Sequence, residues 1–169
     1  MIRPEQPFAL FAGDEAVFYF GSPLWLELTA GDPPRPLLEL PCVRPSDTWF
    51  GPSTREGELC YAAQTRARMD LEAIDWGPAR ALTRVRLINS SAQTLHFTRL
   101  LVPIGRLGLF LAADGRHWTE GLRANVGTEV VDCEVETAPP EEAGSVERVR
   151  EARRGSSGVF RRALVALVG

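Results

Sequence analysis

Short apolar and β-branched runs, broken by turn residues at intervals of about ten positions, make up most of the chain. Phe8-Ala9-Leu10-Phe11-Ala12, Ala16-Val17-Phe18-Tyr19-Phe20 and Leu24-Trp25-Leu26-Glu27-Leu28-Thr29 are separated by Gly13-Asp14 and Gly21-Ser22-Pro23. Aromatic and branched residues in such short runs predict strands. From Gly57 the alternation is longer: Leu59, Tyr61, Ala63, Thr65, Ala67 and Met69 fall on one side, and Glu58, Cys60, Ala62, Gln64, Arg66 and Arg68 on the other. That period of two predicts one extended strand. Ala81–Asn89 repeats the scheme with Arg84 and Arg86 on one face, Asn89–Gln93 reads as a turn, and Thr94–Val102 as a further strand. Leu107–Ala113 and Arg116–Thr119 flank Asp114-Gly115, whose glycine supplies the positive φ a tight hairpin needs. Thr128–Thr137 alternates Val131, Cys133 and Val135 with Asp132, Glu134 and Glu136.

Two stretches depart from this rhythm. Ala30–Pro52 holds six of the 13 prolines; proline removes a ladder donor and fixes φ, so a long loop is expected, with at most a short edge strand at Leu37–Leu40. Residues 138–158 turn polar, and Ser145 as N-cap with Glu147 and Glu151 beside arginines predicts a short exposed helix. Val159–Gly169 then reads either as a closing strand or helix, or as a segment that docks on a partner. The expected architecture is all-β: a two-sheet antiparallel β-sandwich, the jelly roll being one form of it, over residues 1–137. Residues 138–169 would add a linker, the short helix and the closing or docking segment.

Composition fits one globular domain of 169 residues, 44% hydrophobic and 24% charged, large enough to bury about 70% of its extended-chain surface. The net charge of −3 is spread as 12 acids against 8 Arg in residues 1–84 and 10 against 11 in residues 85–169. No basic half argues for nucleic acid. Met1–Pro7 does not look like a signal peptide, and the longest apolar run, Ala163–Val168, falls far short of the roughly 20 residues a bilayer demands. A soluble, cytoplasmic chain is expected. Cys42, Cys60 and Cys133 are far apart and read as reduced thiols; no metal site or cofactor is expected.

Candidate chemistry is sparse. Ser46-Asp47-Thr48-Trp49-Phe50-Gly51-Pro52, followed by Arg55, places two adjacent aromatics beside an acid and a base in a presumed loop. Such material often forms a ligand or partner site. Asp47, Trp49, Phe50 and Arg55, joined by Trp76, His117 and Trp118 if their loops share one end of the fold, are the candidate binding residues. If the strands carrying Arg66, Arg68, Arg84 and Arg86 pair, four guanidiniums share a face suited to an anion or acidic partner. Carboxylate pairs Glu56/Glu58 and Glu134/Glu136 lie on common strand faces, although alternating acids are also how a strand keeps its outer face wet. No nucleophile signature accompanies His96 or His117. All 19 basic residues are arginine, which fits codon bias in a GC-rich genome.

Asp47-Thr48-Trp49-Phe50-Gly51, Gly57–Ala62, Asn89, Arg99-Leu100 and His117-Trp118-Thr119 together resemble an uncharacterised prokaryotic all-β family known only as a domain of unknown function. That resemblance implies an accessory or regulatory domain, a partner of a membrane protein such as a mechanosensitive channel, and carries no catalytic residues. The expected function is accordingly a binding module without evident catalysis, its partner another protein or a second copy of the chain. The alternative is a hydrolase or carbohydrate-active domain using acids and His117 in a sandwich cleft. Convergence of His117 with Asp47 or Glu56 in a closed pocket would favour the enzyme, and a flat exposed aromatic patch the interaction module.

Overall fold

The computed structural model describes residues 1–44, 46–51, 55–62, 66–74, 77, 79–155 and 159–163. Among these residues fourteen strands are found: β1 (Phe8–Leu10), β2 (Glu15–Pro23), β3 (Trp25–Ala30), β4 (Arg35–Pro41), β5 (Ser46–Phe50), β6 (Glu58–Ala62), β7 (Arg80–Asn89), β8 (Leu95–Phe97), β9 (Leu109–Ala112), β10 (His117–Trp118), β11 (Leu122–Val126), β12 (Val130–Val135), β13 (Val146–Arg150) and β14 (Val159–Ala163). The helices among the described residues are two single 3-10 turns, Ile104–Arg106 and Glu141–Ala143. The fold is all-β, as the residue pattern predicts.

Strand β7 organises one eight-stranded sheet. Along one edge it pairs antiparallel with β2, from Glu15↔Ile88 to Pro23↔Arg80. Along the other it runs parallel first to β10 and then to β11. Between those two strands the chain bends at Thr119-Glu120-Gly121, and the sheet forks there: β9 and β13 continue outward from β10, β12 and β14 from β11. Side chains fix the bend. The hydroxyls of Thr83 and Thr119 lie 2.8 Å apart, the Thr119 N–H donates to the Leu82 carbonyl, and buried Glu120 accepts the Gly108 N–H at 2.6 Å. A Cβ at Gly121 would meet the Glu136 carboxylate, whose side chain would have to swing aside.

Alternation along β2 and β7 divides the interior into two layers. Phe18, Phe20, Val85 and Leu87 face a core closed by the β1–β8 ribbon through Leu10, Leu95 and Phe97. Tyr19 and Leu82 face the other way, packing with Phe110, Trp118 and Ala143. Asn89, fully buried, ties ribbon to sheet: its amide reaches the carbonyls of Leu10, Phe11 and Gln93 at 2.7–3.0 Å while its Oδ1 accepts from Ser91. This is the turn expected at Asn89–Gln93. The Asp114-Gly115 turn also forms, with Gly115 at φ +84° and Ala112 N–H bonded to the Arg116 carbonyl.

Five local expectations are corrected. Residues 146–150 form strand β13 on the open edge of β9 rather than a helix; an unpaired edge offers five residues a ladder that an isolated helix turn lacks. The proline-rich stretch is no long loop, because Trp25–Ala30 and Arg35–Pro41 pair as a two-stranded hairpin. Both outer edges of such a hairpin are free, so Pro36 and Pro41 forfeit no ladder bond there. Asp47, Trp49 and Phe50 sit in strand β5, paired with β6, rather than in a loop. The strand read from Gly57 to Met69 is observed over Glu58–Ala62, and that read from Thr94 to Val102 over Leu95–Phe97. Residues 63–65 lie outside the described residues.

Candidate functional site

A cavity of about 550 Å³ opens where the β3–β4 hairpin leaves the main sheet. Its floor is the last turn of the core-facing side of that sheet, Ser22 of β2 beside its register partner Ala81 of β7, with Thr119 at the fork. Met1, Ile2, Val102 and Leu107, buried on the same side, form an apolar wall. The rim is built from Trp25 and Glu27 of the hairpin, Tyr61 of β6, and Arg150, Glu151 and Arg153 at the end of β13.

The charged rim side chains and Thr119 are satisfied by the chain itself. Thr119 Oγ1 is held by Thr83, Leu82 and Glu120. Arg150 pairs with Glu27, Arg153 with both carboxylate oxygens of Glu39, and Glu151 with Arg148 at 2.6 Å. Ser22 differs. It is 5% exposed and its hydroxyl has no hydrogen-bond partner among the described residues.

Above the cavity the hairpin presents two unlike faces. In the β3–β4 register, Leu26 lies opposite Leu40 and Leu28 opposite Leu38, so these four leucines share one face. Glu27 and Glu39 share the other, and their bonds to Arg150 and Arg153 turn that face toward the body. The leucines are therefore left outward, between 49 and 62% exposed. The β5–β6 hairpin repeats the theme on a smaller scale, with Trp49, Leu59 and Tyr61 exposed on one face and Phe50 buried with Met1 and Leu101 on the other. Arg99 stacks over the Phe50 ring at 5.4 Å.

The residues singled out by sequence do not assemble as one constellation. Trp49, Asp47 and Arg55 lie on or beside β5–β6, whereas Trp118 is 1% exposed and packs with Tyr19 and Phe110. His117, paired with Ala81 across β10–β7, does not line the cavity. Trp76 lies outside the described residues. The arginine strands do not pair either: β2 stands between them, with Tyr19 bridged to Arg68 on one side and opposite Arg84 on the other. Arg68 meets Glu5, Arg84 meets Glu136 and Glu142, and Arg86 meets Glu15; Arg66 is exposed at φ +32°. What sequence reasoning missed is Trp25 with the leucines around it. The signal was present, since Leu24-Trp25-Leu26-Glu27-Leu28 puts apolar residues on both faces of a strand.

The family described as "Protein of unknown function (DUF432)" matches residues 1–167. The chain belongs to that family. No curated protein and no solved structure matches it. Within this DUF432 chain, no group of three or more His, Cys, Asp or Glu among the described residues is placed to hold a metal ion. No helix among them is long and apolar enough to cross a membrane.

On the sheet face opposite the cavity one titratable cluster stands out. Tyr19 donates to Glu142 at 2.7 Å, and Arg84 reaches both Glu142 and Glu136. Burial, then the bond to Glu142 and its negative charge, push the Tyr19 hydroxyl up from 10.0 to about 12. Burial alone would raise Glu142, but the Tyr19 bond, a backbone bond and Arg84 outweigh it and hold the carboxyl below its ordinary value. These bonds join β2, β7 and the 3-10 turn before β13.

Proposed function

We propose that this chain is a cytoplasmic, non-catalytic interaction module whose β3–β4 hairpin is a docking arm for a partner protein. The observation that carries the reading is the four-leucine face, held outward by two ion pairs on the reverse side. Isolated exposed leucines are commonplace, whereas these four form a contiguous charge-free ladder on one face of a hairpin, which supports a contact role.

Its size suggests what kind of contact. Burying the exposed halves of four leucines yields about 3–6 kcal/mol gross, corresponding to about 120–240 Å² of apolar surface. A stable interface needs about 800 Å² per partner, and association itself costs about 4–15 kcal/mol. A permanent homodimer through this face is too costly, whereas a weak, reversible regulatory contact fits. A membrane protein such as a mechanosensitive channel, implied by the family resemblance, is the first partner to try. The hydrolase alternative would require His117 to meet Asp47 or Glu56, and His117 lies in the main sheet while those acids belong to the β5–β6 hairpin and its turn.

Size-exclusion chromatography of a gently lysed native host tests the proposal. The wild-type chain should elute partly in a complex larger than itself, and the double variant Leu26→Glu, Leu38→Glu at the position of the free chain. Wild-type chain that elutes alone, or a variant complex of unchanged size, rejects the arm as the docking element.

A further inference from the structure

We infer that the cavity under the hairpin is a binding site for a small neutral, largely apolar molecule carrying one oxygen, with Ser22 as its anchor. This inference is independent of the docking role of the leucine face, since it uses the opposite side of the hairpin. About 550 Å³ is within the range of ligand pockets, and the wall of Ile2, Val102 and Leu107 supplies the apolar contact that such pockets need. The rim sets the ligand's charge. Glu27, Arg150, Glu151 and Arg153, the charged side chains that line the opening, are each paired within the chain, and the Met1 ammonium donates to the Tyr61 carbonyl at 2.7 Å. A charged ligand would have to compete with these contacts; a neutral one enters without that cost.

Ser22 supplies the specificity. A buried hydroxyl without a partner is a standing cost to the fold that alanine would avoid. Ser22 lines the cavity with its hydroxyl oxygen just covered; with the nearby Thr119 hydroxyl already committed, a turn about its χ1 presents it to a ligand's hydroxyl or carbonyl oxygen. Retaining such a group where it costs stability is what a recognition role predicts.

The test compares 1-hexanol with n-hexane, titrated into the full chain and its Ser22→Ala variant and followed by amide chemical shifts. For the wild type, 1-hexanol should shift the amides of Ser22, Ala81 and Thr119 and bind more tightly than n-hexane. In Ser22→Ala the affinity for 1-hexanol should fall about tenfold, as expected for loss of one hydrogen bond, with n-hexane unchanged and the unfolding temperature unchanged or raised. Because n-hexane binding reports the cavity's integrity, a misfolded variant is recognised by its loss. Absence of shifts with either probe overturns the site. Equal loss of both probes, or of neither, in a folded variant overturns the role of Ser22. Neither result touches the leucine face, so the docking proposal stands or falls separately.

Discussion

Tyr19 and Glu142 stabilise each other over a defined pH window. The tyrosine's folded-state value lies above its unfolded one, so its contribution is complete below pH 10.0 and is lost as pH rises toward about 12. Glu142 has the opposite sign: its contribution is present above the ordinary carboxylate range and is lost as pH falls through its lowered folded value. Near-ultraviolet titration should show one of the two tyrosines ionising only near pH 12, a step that disappears in Tyr19→Phe. The same substitution should cost about 1–2 kcal/mol in urea unfolding at neutral pH. A normal high-pH titration in the wild type would refute the contact. Single residues were unevenly legible in the sequence. The alternation that sets Arg84 and Arg86 against Val85 and Leu87 is a local property of one strand, and it is read correctly. Whether Trp118 is buried or Trp25 exposed depends on contacts between segments about a hundred positions apart, such as Trp118 with Tyr19 and Arg150 with Glu27, and no local period reports that.

Hairpin β3–β4 shows the same divide for an element. Its prolines argue for a loop, and they would be right in the interior of a sheet; two free edges make them harmless. Residues 146–150 were misread for the complementary reason, since Ser145 and the Glu–Arg spacing favour a helix locally while the open edge of β9 offers a complete ladder. The orientation of the hairpin depends on Arg150 and Arg153, whose pairs with Glu27 and Glu39 are exposed and therefore worth little to global stability. The double variant Arg150→Ala, Arg153→Ala should shift the unfolding temperature by no more than about 2–4 °C. Its effect should instead appear in hydrogen exchange, as faster exchange of the β3 and β4 amides with the β7 amides unchanged. Uniform acceleration across the chain would mean that these pairs hold the whole fold and not the arm.

For the whole molecule, the all-β class was legible from residue pattern. The fork at Thr119-Glu120-Gly121 was not, because it arises where two short parallel strands share the edge of β7, a pairing between segments about 35 residues apart. That fork and the hairpin beside it create both the cavity and the outward leucine face, so the candidate site is a product of topology more than of any motif. Site-specific photo-crosslinking in the native host tests the central claim most directly. A photoreactive residue at Leu28 should give one discrete adduct with a different protein, absent from the same residue at exposed Phe11 and abolished by Leu26→Glu, Leu38→Glu. No adduct at position 28, or an adduct only with a second copy of the chain, would contradict the docking arm.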